Sequence, residues 1–216
     1  MDGTSRRELA RAALDGYANG VDGTTRATAD ALARVGEAAT LVLVEGISDQ
    51  IAVETAAAGL GRDLAAQRIV VVPIGGAHAI GRFLTSLGPL AAGVRVAGLC
   101  DAREEEIFRR GLGPPGARAD LERLGVYVCV DDLEDELIRA VGTPDVEALF
   151  ESQGDLGSFH TLRSQPAWRG RDPRAQMRRF LGSGSRRKLR YARLLVEEAV
   201  GRGALPRPLA SLLAAL

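Results

Sequence analysis

Two cysteines, two histidines, one tryptophan and a single lysine among 216 residues each narrow what this chain can be. Cys100 and Cys129 fall at or near the ends of apolar runs, and neither belongs to a CxxC pair or sits beside a histidine. Buried free thiols are therefore expected in place of a zinc site or a disulfide framework. No continuous apolar stretch approaches the roughly 20 residues that cross a bilayer. The opening MDGTSRRELA also lacks the apolar segment of a secretory signal, so a cytoplasmic protein with no membrane partner is expected. Aromatic residues make up 4% of the chain, eight Tyr and Phe plus Trp168, which offers little for stacking on bases and predicts no sequence-specific readout. Net charge is absent too, with 28 basic against 28 acidic residues, but the balance hides an asymmetry: acids crowd residues 101–136 and bases residues 163–193. Arginine supplies 27 of the positive charges, so Lys188 is either a chance survivor in an arginine-biased chain or a site that needs a compact ammonium.

What the chain does have is alternation. Residues 4–18 and 24–38 carry helical spacing and are separated by the turn ANGVDG. Four short apolar runs follow: LVLV at 41–44, IVVV at 69–72, VRVAGLC at 94–100 and VYVCV at 126–130. They read as strands buried on both faces. Between the first two, Ser48 is positioned to cap a helix running to about Leu60; between the next two, GGAHAIGRFLTSLG predicts another short helix. Such alternation predicts an α/β fold, a mainly parallel four-stranded sheet with right-handed crossovers and helices on both faces. The expected organisation is an N-terminal helical segment (1–39), an α/β domain (40–141) and a C-terminal helical extension (142–216), broken at Pro144, Pro166, Pro173, Pro206 and Pro208. In that extension an amphipathic helix runs from about Ser185 to Val200.

Open parallel sheets bind ligands at the carboxyl ends of their strands, and here three of the four ends are acidic. The first gives Glu45 and, one helical turn on, Asp49; the third gives Asp101, then Arg103, Glu104, Glu105 and Glu106; the fourth gives Asp131, Asp132, Glu134, Asp135 and Glu136. Carboxylates converging on one crevice repel each other unless a cation neutralises them, and hard divalent ions with oxygen ligands, Mg²⁺ or Mn²⁺, fit that chemistry. The plainer reading of Glu104 to Glu106 and of DDLEDE is a solvated helix start, where acids complement the dipole. Glu45 and Asp101 resist it, since each directly ends an apolar run. The second strand ends in PIGG, which either lets a phosphate approach the backbone or makes a tight turn.

VEGISDQ, VVPIGGAHAI and GLCDAR, in this order after three apolar strands, resemble a Toprim domain, the metal-binding module of topoisomerases, primases and certain nucleases. Within that group the chain resembles nucleases of the overcoming-lysogenization-defect (OLD) family. LEDEL at 133–137 is similar to the family's later acidic motif, and SRRKLRYA at 185–192 to the segment presenting its catalytic lysine. The resemblance covers about residues 40–195. It implies Glu45 as metal ligand or general base, Asp49 as a second ligand, Asp101 as the first aspartate of a DxD motif, Glu134 with Asp135 completing a second metal site, and Lys188 stabilising charge on the scissile phosphate or leaving group.

The second DxD position is occupied by Arg103, which cannot coordinate a cation. Either Glu105 takes that place, or Arg103 holds a phosphate, or catalysis has been lost and binding remains. The leading expectation is metal-dependent cleavage of a nucleic acid, DNA in the first instance, in which two cations about 4 Å apart activate water and stabilise the leaving oxygen. Arg186, Arg187, Lys188, Arg190 and Arg193 would follow the phosphate backbone, or else form a solvated basic face. The alternative is a non-catalytic Toprim module that binds nucleic acid or a phosphorylated ligand. The sequence holds no GxxxxGK[ST] phosphate loop, so nucleotide-driven control is expected from a separate ATPase partner. Nothing in the sequence fixes the oligomeric state.

Overall fold

The computed structural model describes residues 23–81, 83, 84, 93–112 and 120–216. The helix expected over residues 4–18 lies outside them. Helix α1 (Gly23–Val35) leads into β1 (Thr40–Val44), α2 (Ile47–Gly59) and β2 (Ile69–Pro73). A 3-10 turn at Ala77–Ala79 precedes β3 (Arg95–Asp101), α3 (Glu105–Leu112) and β4 (Val126–Cys129). Helices α4 (Leu133–Val141), α5 (Thr143–Ser152), α6 (Leu156–Ser164), α7 (Pro173–Leu181), α8 (Ser185–Gly201) and α9 (Arg207–Ala215) follow.

The sheet is parallel throughout, in the order β2-β1-β3-β4. Because strand side chains alternate, one face presents Val42, Val44, Ile69, Val71, Ala97 and Leu99 to α2 and the C-terminal helices. The other presents Leu41, Leu43, Val70, Val72 and Cys100 to α1, Phe83 and Phe108. Burial on both faces explains why the strands read as unbroken apolar runs. Both cysteines are free and buried, and burial pushes the Cys100 thiol up to about 12.

One local correction to the sequence reading has a simple cause. Helix α2 is capped at Gly46 rather than Ser48: Gly46 is extended, and the Asp49 carboxylate accepts its backbone N–H at 2.9 Å. The C-terminal third is helical and broken at its prolines as expected: Pro166 and Pro206 lie between helices, and Pro144, Pro173 and Pro208 stand in the first turns of α5, α7 and α9, where a missing N–H costs nothing. Helices α2 and α8 lie close because the facing residues are small. Ala52 and Ala56 are fully buried, and a Cβ on Gly59 would come within 2.9 Å of Val200. The far end of α8 is anchored by Phe150, Phe159, Phe180 and Tyr191, whose rings meet edge to face around Phe150 at 4.9 to 5.1 Å. This packing brings the start of α8, and Lys188 with it, to the carboxyl end of the sheet.

Candidate metal centre

Strand order decides which acids meet. β1 lies between β2 and β3, so the chain reverses its direction of winding between β1 and β3, and a crevice opens where their carboxyl ends diverge. The acidic ends of β1, β3 and β4 are neighbours there, while the PIGG end of β2 stands at the edge. That glycine pair is a backbone brace: Gly75 and Gly76 both donate to the Glu45 carbonyl at 3.1 Å. Both glycines have positive φ, 77° and 102°, a conformation open to glycine at little cost.

Glu45, Asp101 and Glu104 each offer a carboxylate oxygen, and the three atoms lie within 4.8 Å of one another, half-buried. The turn after β3 accounts for this. The Glu104 N–H donates to the Asp101 carbonyl at 2.9 Å, so residues 101 and 104 occupy the first and last places of a four-residue turn and approach each other, while Arg103 is carried outward. Arg103 is exposed and has no ion pair among the described residues. Glu105, expected from the sequence to replace the missing aspartate, pairs with Arg109 at the start of α3. Sequence reasoning missed Glu104; the signal was the D-x-x-E spacing of the turn. Burial, then the charge of Glu45 and of Asp132, pushes the Asp101 carboxyl up to about 8.

A second group stands beside the first. Lys188 Nζ lies 3.0 Å from Glu134, whose side chain is 11% exposed against 43% for the lysine. Burial, followed by the charge of Glu134, pushes the Asp49 carboxyl up to about 7, with Lys188 acting in the opposite sense and Glu45 adding to the rise. Burial alone would lower the Lys188 ammonium, but Glu134, Asp49 and Glu45 together hold it above its ordinary value. Glu45 thus faces both groups. Asp135 points elsewhere, 4.0 Å from Arg139, and its own N–H donates to Asp132, the cap of α4.

The arginines of α8 divide. Arg187 and Arg190 both face Asp155, which also accepts from the Tyr191 hydroxyl at 2.9 Å. Arg193 pairs with Glu197 at 3.2 Å. Arg186 is exposed with no ion pair among the described residues.

Residues 38–102, from the end of α1 through β3 to Asp101, match the family described as overcoming lysogenization defect protein-like, TOPRIM domain. These residues fit an OLD-like Toprim domain. The C-terminal region of the Xanthomonas campestris pv. campestris OLD protein superposes with a TM-score of 0.59 at 21% identity, over 84% of this chain and 93% of that one. The C-terminal region of the Burkholderia pseudomallei OLD protein does so with a TM-score of 0.56 at 15% identity, over 82% and 96%. At these identities the likeness is one of fold. It extends well past the matched residues into the helices that follow β4. No curated protein matches the sequence. An OLD-like Toprim match suggests a nucleic-acid-related function, and the acidic cluster could hold a metal ion. No described helix is long and apolar enough to cross a membrane.

Proposed function

We propose that the chain is a nuclease that cleaves phosphodiester bonds, of DNA in the first instance, with Mg²⁺ or Mn²⁺ as cofactor. The observation that carries this reading is the Glu45, Asp101 and Glu104 triangle beside the Lys188–Glu134 pair. Three carboxylate oxygens within 4.8 Å suit a hard cation, whose charge would offset the mutual repulsion of Glu45 and Asp101. A bound cation of this type polarises a phosphoryl oxygen and acidifies the water it carries. In our assignment Glu45, Asp101 and Glu104 hold the ion. Glu45 also faces Asp49, so it is the carboxylate through which the two groups communicate. Asp49 and Glu134 form the second acidic group, with Asp135 and Glu105 outside both. Lys188, partly exposed and oriented by Glu134, offers its remaining N–H groups to a phosphate oxygen and stabilises the charge that gathers there. Arg103 and Arg186, both exposed, contact flanking phosphates; Arg187, Arg190 and Arg193 contribute to the local field while engaged with Asp155 and Glu197.

This proposal keeps residues 40–141 as the Toprim unit, residues 142–216 as the extension that supplies Lys188, and a separate ATPase partner. The unpaired Arg103 favours one other reading, a Toprim module that binds phosphorylated ligands without cleaving them. Nicking of supercoiled DNA with Mg²⁺ or Mn²⁺, comparing the parent with Glu45→Ala and Lys188→Ala, separates the two. The nuclease reading expects metal-dependent nicking in the parent and its loss in both variants. No nicking in the parent favours the binding module, and unchanged nicking in the variants removes the site assignment.

A further inference from the structure

Beyond Lys188 the acidic crevice continues into a second cleft of about 360 Å³, within the range of small-ligand sites. Its walls come from the first turn of α4 (Asp132, Glu134), the loop before α7 (Trp168), α7 itself (Ala175, Arg178, Arg179) and the start of α8 (Lys188). Its two acids are already neutralised from within the protein. Asp132 caps α4 through the Asp135 N–H and accepts from Arg178, which also lies 3.6 Å from Asp131; Glu134 is paired with Lys188. Arg179 is exposed and has no ion pair among the described residues. The half-buried Trp168 lines the same cleft, and its backbone is held there by its carbonyl, which accepts from the buried Gln176 side chain at 2.7 Å.

An indole, an unpaired guanidinium and a shared edge with the proposed cleavage site together define an aromatic, locally cationic cleft. We infer that it binds an unpaired nucleotide of a single-stranded segment flanking the phosphate to be cut, with the base stacked on Trp168 and a phosphate on Arg179. The inference rests on the nucleic-acid reading above and adds a preference that the composition did not suggest. Stacking suits any base and requires it to be free of its duplex, so the cleft selects strandedness rather than sequence. Ala175 and Gly182 add little bulk to the lining.

Trp168 is the only tryptophan, so its fluorescence reports this cleft alone. The test titrates the metal-free full chain with short single-stranded oligothymidylate, and separately with a duplex of equal length, following tryptophan emission and the anisotropy of a labelled oligonucleotide. Expected are quenching by the single strand but not by the duplex, and single-strand binding about tenfold weaker in Trp168→Leu and in Arg179→Glu, which retains the reporter. Circular dichroism shows whether each variant is folded; if Trp168→Leu is not, Arg179→Glu alone decides. Anisotropy that rises without quenching, equal quenching by the duplex, unchanged affinity in Arg179→Glu, or no binding at all overturns the inference. Because no cleavage is read and no metal is present, these results stand apart from the nicking assay: a chain that quenches but never nicks loses its catalysis and keeps this cleft.

Discussion

Raising the pH without metal should weaken this protein, and the size of the effect follows from two carboxyl groups. Asp101 is pushed from its ordinary 3.8 up to about 8, and Asp49 from 3.8 to about 7, burial being the largest cause for both. A carboxyl whose proton is held more tightly in the folded chain than in the unfolded one stabilises the fold while protonated. That stability is complete below about pH 4, where the unfolded chain is also protonated, and is lost as the pH climbs through 7 and 8. At about 1.4 kcal/mol per pH unit, Asp101 alone sets an upper bound of roughly 6 kcal/mol. Both groups are only half-buried, and repulsion between neighbouring carboxylates enters both shifts, so the joint effect after screening is about 3 kcal/mol. For a chain of this length that is a fall in Tm of about 6 to 12 °C between pH 5 and pH 9. Mn²⁺ should reverse it, adding about 2.7 kcal/mol at a hundredfold excess over its Kd, with the larger gain at alkaline pH because the ion binds the ionised carboxylates. The assay is a thermal melt with chelator and then with Mn²⁺, on the parent and on Asp101→Asn. The variant should melt above the parent at alkaline pH without metal and gain little from Mn²⁺. A parent Tm that stays level or rises across this window, or an Asp101→Asn chain that keeps both the slope and the Mn²⁺ gain, overturns this linkage.

Other consequences are separable. Glu104→Gln should lower Mn²⁺ affinity and nicking at least about tenfold, whereas Glu105→Gln, which loses only a surface pair with Arg109, should change each less than about twofold; calorimetric Mn²⁺ titration reads the difference. Lys188→Met leaves the nearly buried Glu134 carboxylate without its cation, at a cost of about 1 to 3 kcal/mol in a denaturant melt, and should reduce nicking about a hundredfold while Mn²⁺ still binds. Gly98→Ala would place a Cβ 2.5 Å from the Leu43 carbonyl oxygen, forcing β1 and β3 apart. It should cost about 2 kcal/mol or more in the same melt and weaken Mn²⁺ binding, since those strands carry Glu45 and Asp101.

The parallel sheet was legible because burial on both faces leaves a signal that needs no partner to be seen, an unbroken apolar run with a change of character at its end. The convergence of Glu45 and Asp101 was legible for the same reason, once parallel strands imply that their carboxyl ends share one edge. Glu104 was harder. Its role depends on a four-residue turn that folds residue 104 back toward residue 101, and the family pattern drew attention to positions 103 and 105 instead. The cap at Gly46 leaves no clear sequence signal because the Asp49 carboxylate acts backwards on the Gly46 N–H, so the residue that caps is not the one at the boundary. The basic stripe of α8 was visible as charge, but Asp155, more than thirty residues earlier in the chain, engages Arg187 and Arg190, and only the folded helices bring it there. Trp168 carried no signal in the sequence; its place beside Lys188 is a product of how α7 packs on α4.

The most direct measurement is a crystal of the protein soaked in Mn²⁺ and recorded at a wavelength where manganese scatters anomalously. The metal-centre assignment requires an anomalous peak enclosed by Glu45, Asp101 and Glu104, with oxygen ligands from all three and with Arg103 and Glu105 outside its coordination sphere. Anomalous density absent from that triangle, or found only between Asp49 and Glu134 with Lys188 displaced, contradicts it.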